Sequence, residues 1–442
     1  MESKRYTFKG GVHVPHNKHF TENKQVELAK DPEVVYISMQ QHIGAPCAPL
    51  VNKGDYVKLG QKIGESNAFV SSPIHSSVSG TVKDVGKMVG TSGLKNDFII
   101  IESDGKNEKS EEYFNERNWE DLNYEEVLAI IKDSGITGMG GASFPTVVKL
   151  SPPPDKKVDT VILNGAECEP YLTSDYRLMV ESPRNVYIGC RIIMKALKVD
   201  KGYIAIEDNK MEAYEKIKEA VGSDESVKVV LLKTKYPQGD EKRIIDALLN
   251  RQVPSGGLPA DVGCVVDNVA TANAIYEAVV EGKPLYERIM TVTGDGIKEP
   301  KNLKIKVGTK FSEIIEQCGG FSGNPGKIIA GGPMMGIAQG STDIAAVKAS
   351  GGLLILNEEE AFYPEPSNCL KCGKCLDVCP VHLQPIFISG YALNKNFEMA
   401  EKYNALDCVE CGSCSFICPA NRPLVESIRF SKRQILAKNK KK

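Results

Sequence analysis

Two arrays of four cysteines lie near the C-terminal end of the chain. The first runs from Cys369 to Pro380 and reads CLKCGKCLDVCP; the second runs from Cys408 to Pro419 and reads CVECGSCSFICP. Soft thiolates at this spacing can wrap a loop around three corners of an iron–sulfur cubane, whereas structural zinc sites use two well-separated pairs of ligands. The arrays therefore predict two [4Fe-4S] clusters, and they disfavour zinc.

The fourth ligand of each cluster is expected to come from the other array. In the bacterial CxxCxxCxxxCP run, the last cysteine of one array completes the second cluster. This predicts two mixed ligand sets, namely Cys369, Cys372, Cys375 and Cys418 for one cluster and Cys408, Cys411, Cys414 and Cys379 for the other. The segment SGYALNKNFEMAEKYNAL between the arrays suits helix, so we expect an inserted helical unit in this α-helical two-cluster domain.

Composition limits the class of protein to which these arrays belong. A chain of 442 residues is expected to form two to four domains. The net charge of −2 and the hydrophobic content of 41% indicate a globular protein and suggest no nucleic-acid partner. No apolar run approaches the roughly 20 residues needed to cross a bilayer, and the start lacks an apolar signal core. We therefore expect a soluble, cytosolic chain in a reducing compartment.

A glycine-rich turn precedes the middle of the chain. Residues 138–150 read GMGGASFPTVVKL, and glycines allow backbone amides to approach a phosphate or a flat ring closely. The next segment, VDTVILNGAECEP, is an apolar run that ends in polar residues, as a parallel strand does at its carboxyl edge. Helix-like stretches then alternate with the strand-like GYIAIE and VKVVLLK, which predicts a multidomain α/β protein.

Four elements of this region, in the same order, resemble the flavin-bearing, NADH-oxidising subunit of respiratory complex I. They are the glycine loop with Lys149, the segment 164–170 (NGAECEP), the segment 236–241 (YPQGDE) and the segment 267–271 (DNVAT). The resemblance implies a Rossmann-like domain that binds FMN and NAD(H). The residues that it implies at the cofactors are Gly138, Gly140, Gly141, Phe144, Lys149, Asn164, Glu167, Cys168, Glu169, Tyr236, Gly239, Asp240, Glu241, Asp267, Asn268 and Thr271.

The same resemblance implies particular roles within this set. Phe144 and Glu169 would lie beside the dinucleotide, and Glu167 is the one candidate for a catalytic side chain because it would lie near the flavin. No general acid or base is required, since the cofactors carry the chemistry. Met139, Ala166 and Cys168 depart from the family pattern, so contacts to the dinucleotide are expected to differ there.

Over nearly its full length the chain resembles the RnfC component of the Rnf complexes, which are membrane-bound ferredoxin:NAD⁺ oxidoreductases that pump Na⁺ or H⁺. The opening segment 8–18 (FKGGVHVPHNK) and the double cysteine array carry this likeness, because complex I flavin subunits end in a single cluster. The resemblance implies hydride exchange between NAD(H) and FMN and single-electron relay through the clusters. Its implied partners are the other subunits of the complex, including a ferredoxin-like iron–sulfur subunit, at the cytoplasmic face of the bacterial membrane.

Two further modules flank the flavin region. Residues 51–85 resemble a barrel-sandwich hybrid of the lipoyl type, although the hairpin tip has no lysine to carry a swinging group, and residues 288–340 resemble a β-grasp (SLBB) domain. The segment 8–18 and its histidines are interpreted as a surface loop. The predicted division is 1–110 for the barrel-sandwich segment, 111–286 for the FMN/NADH domain, 287–350 for the β-grasp domain, 351–430 for the two-cluster domain and 431–442 for a basic tail.

Two alternatives to this function stay open at the level of sequence. The first is the flavin subunit of a soluble NADH-dependent hydrogenase or formate dehydrogenase. The second is a non-catalytic electron-transfer scaffold that has lost its flavin, for which the departures at Met139 and Ala166 are the argument.

Overall fold

The computed structural model describes residues 4–439. Its strands are β1 (Arg5–Tyr6), β2 (Val26–Leu28), β3 (Val34–Ser38), β4 (Ala48–Pro49), β5 (Tyr56–Val57), β6 (Lys62–Glu65), β7 (Ile74–His75), β8 (Gly80–Val89), β9 (Lys95–Ser103), β10 (Thr160–Gly165), β11 (Gly202–Glu207), β12 (Val227–Leu232), β13 (Cys264–Asn268), β14 (Glu287–Thr293), β15 (Lys301–Lys306), β16 (Pro325–Ala330), β17 (Ile337–Ala338) and β18 (Gly352–Asn357).

Most of the helices lie in the flavin region and in the C-terminal part. They are α1 (Tyr124–Asp133), α2 (Thr146–Lys149), α3 (Ser174–Glu181), α4 (Pro183–Leu197), α5 (Met211–Val221), α6 (Glu241–Leu249), α7 (Val269–Val280), α8 (Phe311–Gln317), α9 (Glu358–Ala361), α10 (Lys374–Asp377), α11 (Pro385–Leu393), α12 (Phe397–Lys402), α13 (Ser413–Phe416) and α14 (Leu424–Asn439).

The central sheet is parallel, with the strand order β1-β12-β11-β10-β13. Its strands are apolar on both faces because helices cover both. Val161 and Leu163 of β10 pack in the core that contains α1, α4, α5 and α7, whereas Ile162 points to the opposite core, which contains α6. A continuous apolar run in a buried parallel strand is the pattern from which the sequence predicts this sheet.

The barrel-sandwich hybrid consists of the sheets β3-β9-β8-β5 and β4-β6-β7 around a shared apolar core. Residues 4–30, however, lie outside it. Strand β1 joins the edge of the flavin-domain sheet and β2 joins the edge of the β-grasp sheet. The segment predicted as one N-terminal unit, 1–110, is therefore shared among three domains.

The β-grasp sheet has the order β17-β16-β18-β14-β15-β2, and α8 packs on it. Strand β18 lies in the middle of this sheet, parallel to β14 and antiparallel to β16. The boundary predicted at residue 350 separates this strand from its sheet, because a short apolar run carries no signal of its distant partners.

The C-terminal domain repeats one local arrangement. Gly373 and Gly412 each adopt a left-handed conformation between two cysteines of an array, and the short helices α10 and α13 follow them. Helices α11 and α12 form the predicted inserted unit between the arrays. Helix α14 extends to residue 439 with Ile435 buried, so most of the predicted basic tail is helical, and residues 440–442 lie outside the described part. Among the described residues, the helices lack the combined length and apolar character of a membrane span.

Candidate functional site

Three of the four sequence elements meet at the carboxyl edge of the central sheet. Asn164 at the end of β10 lies in register with Asn268 at the end of β13. The Asn164 side-chain amide donates to the carbonyl of Gly239 at 2.8 Å, and its oxygen accepts from the Ala166 amide at 3.0 Å. The edge of a parallel α/β sheet is where such folds bind ligands.

The glycine loop completes this edge. Gly138 donates its amide to the carbonyl of Phe144 at 2.9 Å, which closes the loop, and the Met139 amide donates to the hydroxyl of Thr271 at 3.0 Å. A Cβ at Gly140 would lie 2.6 Å from the side-chain nitrogen of Asn268, so only glycine fits there, whereas Gly141 has open space around it. The loop thus presents an unobstructed stretch of backbone beside all three elements.

The half-buried Lys149 and the buried Asp267 form an ion pair at the base of the site. The Lys149 ammonium lies 3.3 Å from the Asp267 carboxylate and donates to the carbonyl of Val266 at 2.7 Å. Burial raises the pKa of Asp267, and Lys149 opposes that shift. The second carboxylate oxygen of Asp267 is buried with no hydrogen-bond partner among residues 4–439, so a ligand with hydroxyl groups would satisfy it.

The segment 166–172, here called the acidic loop, connects β10 to α3. The carboxylate of Glu167 accepts hydrogen bonds from the amides of Asp175 at 2.7 Å and Tyr176 at 3.2 Å, at the start of α3. Glu167 itself has a left-handed backbone with φ of 44°. In this arrangement the side chain of Glu167 connects the loop to the start of α3 by hydrogen bonds. A catalytic role for Glu167 stays a prediction, and these contacts do not favour it.

Lys18, the last residue of the segment 8–18, lies beneath the acidic loop, although it was not among the predicted site residues. Its ammonium donates to the carbonyls of Glu167 and Glu169, each at 3.0 Å, and to that of Leu172. It also lies 4.0 Å from the Glu167 carboxylate. Burial lowers the pKa of Lys18 and raises that of Glu167, and their mutual attraction opposes both shifts. The segment predicted as a surface loop therefore contains a buried contact to the site.

Glu169 joins the acidic loop to the β-grasp domain. Its carboxylate accepts from the amides of Met334 at 3.1 Å and Met335 at 2.8 Å, within the turn GGPMMG. A Cβ at Gly332 would lie 2.3 Å from this carboxylate, so the turn approaches it closely. Burial raises the pKa of Glu169 to about 7, although the two amides lower it in part. Glu169 is thus poised to change charge near neutral pH.

The flavin-domain edge and the second cysteine array share a small apolar junction. It is built from Val12, Val14, Tyr236 and Cys411, with Cys168 and Met334 packed against them. The hydroxyl of the buried Tyr236 donates to the carbonyl of Cys411 at 2.8 Å, and the amide of Gly239 donates to the Cys168 sulfur at 3.2 Å. Burial raises the pKa of the Cys168 thiol, which keeps it neutral.

The cysteines form two groups that differ in exposure. Cys379, Cys408, Cys411 and Cys414 line one cavity, which is the set predicted for the second cluster. Cys375 and Cys418, both from the other predicted set, pack against the same small apolar cluster with Leu424 and Val425, whereas Cys369 and Cys372 of that set are exposed. Within residues 4–439 no group of three or more histidine, cysteine, aspartate or glutamate side chains is arranged to hold a single metal ion. A cubane holds its thiolates at separate corners, so this arrangement around a cavity fits a cluster.

The remaining predicted site residues lie at the start of α6. Asp240 is the N-cap of this helix and accepts from the amide of Arg243 at 3.1 Å, and Glu241 follows in its first turn. Burial raises the pKa of both carboxyls. Gln238, beside Gly239, is fully buried, and neither polar atom of its side chain has a partner in the described part of the chain.

Four domain families match the chain. They are the RnfC barrel sandwich hybrid domain (6–106), the Nuo51 FMN-binding domain (131–277), the SLBB domain (289–338) and the 4Fe-4S dicluster domain (361–421). These matches confirm the predicted fold class, and they confirm FMN and iron–sulfur clusters as the cofactors.

Relatives match over the whole chain. The C component of the Na⁺-translocating ferredoxin:NAD⁺ oxidoreductase complex of Acetobacterium woodii is 50% identical over 441 residues, covering 100% of both chains. The C component of the proton-translocating complex of Clostridium ljungdahlii is 52% identical over 427 residues, covering 96% of this chain and 93% of that one. The chain belongs to the RnfC family of ion-translocating ferredoxin:NAD⁺ oxidoreductase complexes.

A more distant relative and one solved structure extend the comparison. The C component of the ion-translocating oxidoreductase complex of Rhodobacter capsulatus is 40% identical over 442 residues, covering 99% of this chain and 85% of that one. A crystal structure of an NAD⁺-reducing [NiFe]-hydrogenase in the H₂-reduced state shares the fold, with a TM-score of 0.50 and 17% identity. That match covers 72% of this chain and 62% of the hydrogenase chain.

Proposed function

We propose that this RnfC-family chain is the NAD(H)-reacting, peripheral subunit of a membrane-associated, ion-translocating ferredoxin:NAD⁺ oxidoreductase. The observation that carries the proposal is the Tyr236 contact, which joins the carboxyl edge of the flavin-domain sheet to a cysteine of the second array. Bound FMN supplies the exchange of two electrons with NAD(H) and of single electrons with the clusters. The protein's part is to position the cofactors and to keep water out of the junction.

The residues that would hold FMN are those at the sheet edge. The open backbone at Gly141 would admit its ring or phosphate, Asn164 offers a side-chain amide already fixed by Gly239, and the unpartnered oxygen of Asp267 would accept a hydroxyl. Phe144 and Glu169 remain the candidates for contact with the dinucleotide. The neutralising Lys149 keeps the base of the site compatible with a bound anion.

The mixed cysteine sets are proposed as the ligands of the two clusters. The cavity lined by Cys379 together with three cysteines of the second array supports the crossing of ligands between arrays. The exposure of Cys369 and Cys372 supports a role for the other cluster in electron exchange with a neighbouring subunit.

The partner subunits and the cellular location of this chain are proposed from its relatives. Their names describe complexes that translocate Na⁺ or H⁺ and act on ferredoxin and NAD⁺. By analogy this chain would bind other subunits of such a complex, including a ferredoxin-like iron–sulfur subunit. We place it on the cytoplasmic face of the bacterial membrane, where NAD(H) is found.

Analysis of the anaerobically purified chain tests this proposal. We expect about eight iron atoms and one FMN per chain, with bleaching of the flavin absorbance on addition of NADH. The same iron content without flavin, and with no response to NADH, would instead indicate an electron-transfer scaffold.

A further inference from the structure

Residues 8–22, here called the N-terminal strap, connect the cysteine arrays to the flavin site. At one end the Gly11 amide donates to the carbonyl of Val378 at 2.8 Å, directly before Cys379. In the middle Val12 exchanges backbone hydrogen bonds with Tyr236. At the other end the Tyr171 amide donates to the carbonyl of His16 at 2.8 Å. The strap is therefore built into the site.

Lys18 is the one cation of the strap that is fully inserted beneath the acidic loop. Its side chain is 6% exposed, and three loop carbonyls, from Glu167, Glu169 and Leu172, converge on its ammonium. Three peptide oxygens from a span of six residues thus share the three N–H donors of one ammonium group. Without Lys18 these oxygens would lose that donor, and a buried acceptor without a donor is destabilising.

The effect of this cation extends to the other elements of the site through a chain of contacts. The Glu167 carboxylate, 4.0 Å from the ammonium, binds the amides of Asp175 and Tyr176. The Asp175 carboxylate in turn accepts from the side-chain amide of Asn268 at 2.6 Å. Asn268 lies directly behind Gly140, where a Cβ would collide with it. One ammonium group therefore supports the acidic loop, the start of α3, the end of β13 and the glycine loop.

We propose that Lys18 is a positioning residue for hydride exchange, because it sets the acidic loop and, through Glu167, Asp175 and Asn268, the face of the site that receives the flavin and the nicotinamide. This inference rests on the proposed function. Lys18 touches neither cofactor in this role. It acts through the geometry of the loop, so its removal should affect the reaction of bound flavin more than the binding of flavin.

The test compares the wild type with Lys18→Met, Lys18→Arg and Lys9→Met, each as the full chain carrying its clusters and reconstituted with saturating FMN. Lys9 is an exposed lysine of the same strap and serves as the matched control. The measured quantity is the single-turnover rate of flavin bleaching by NADH, divided by the amount of bound flavin. A purely structural defect would lower the amount of loaded protein and leave this normalised rate unchanged.

We expect Lys18→Met to reduce the normalised rate by about tenfold to a hundredfold, since misplacement by about 1 Å can cost this much. Lys18→Arg, which keeps the charge, should recover most of the loss, and Lys9→Met should match the wild type. A wild-type normalised rate in Lys18→Met overturns the proposal. If the wild type itself binds no flavin or is not bleached by NADH, the proposed function fails first, and that result is distinct from any effect of the variants.

A second variant covers the case in which Lys18→Met does not fold. Loss of the cation alone removes the positive charge nearest to the buried Glu167 carboxylate, so the double variant Lys18→Met/Glu167→Gln removes both charges and keeps one of the two acceptor oxygens that bind the amides of Asp175 and Tyr176. We expect this protein to fold, to bind FMN and to show the reduced normalised rate. A wild-type rate in the folded double variant contradicts the proposal equally.

Discussion

Tyr236→Phe tests the junction between the flavin site and the second cysteine array. The substitution keeps the buried ring and removes only the hydroxyl that donates to the carbonyl of Cys411 at 2.8 Å. Both residues are buried, at 1% and 7% exposure, so water does not readily replace the lost donor. An unsatisfied buried acceptor costs about 1–3 kcal/mol, which corresponds to a roughly 5- to 150-fold increase in the population of the opened junction.

Hydrogen–deuterium exchange and stopped-flow spectroscopy measure this effect. Amides near Cys411 should exchange faster by a factor in the stated range if the array opens as a local unit. Reduction of the clusters by NADH should slow, whereas bleaching of the flavin should keep its wild-type rate, because the sheet edge is not altered. Tyr203→Phe, on strand β11 away from the junction, is the control. Unchanged exchange and unchanged cluster reduction in Tyr236→Phe would refute the assignment of this contact as the connection between the two sites.

Three other predictions address the flavin pocket, the cluster ligands and the acidic loop. Lys149→Met should weaken FMN binding by about tenfold or more, because the buried Asp267 carboxylate loses the positive charge that lies beside it. Fluorescence of released flavin measures the FMN that was bound. The control Lys156→Met, at a surface ion pair, should leave FMN binding unchanged. Cys379→Ser and Cys411→Ser should remove the same cluster, whereas Cys418→Ser should remove the other, each with a loss of about four iron atoms. Electron paramagnetic resonance distinguishes the two clusters. Different spectral losses for Cys379→Ser and Cys411→Ser would contradict the crossing of ligands. The pKa of Glu169 is about 7 in the folded chain and about 4.3 when unfolded, so the folded state holds this proton more tightly. The melting temperature should therefore fall as pH rises from about 5 to about 7 and level off above that range. Glu169→Gln should flatten that slope, and an equal slope in the variant would disprove the attribution to Glu169.

The sequence predicted the parts of the site that depend on local pattern. Strand β10 ends next to Asn164, as the apolar run followed by polar residues predicts, and the helical unit between the arrays is present as α11 and α12. The crossing of ligands expected from the cysteine spacing stays a prediction, which the cavity lined by Cys379 with Cys408 supports.

Contacts between distant segments were not predicted. Lys18 lies 149 residues from Glu167 along the chain, and no periodicity or motif within either segment indicates the pairing. For the same reason β2 and β18 were assigned away from the β-grasp sheet that they join. Glu167 and Asp240 were predicted as cofactor contacts from the motif alone, and only the structure reveals that their carboxylates bind helix-start amides.

Stopped-flow reduction of the isolated, cluster-loaded chain by NADH tests most directly whether electrons pass between NAD(H) and the clusters through the flavin site. We predict that flavin absorbance bleaches first and that cluster absorbance follows within the same turnover, with no added partner. Reduction of the clusters in a flavin-free preparation, or bleaching of the flavin with clusters that stay oxidised, would contradict this route.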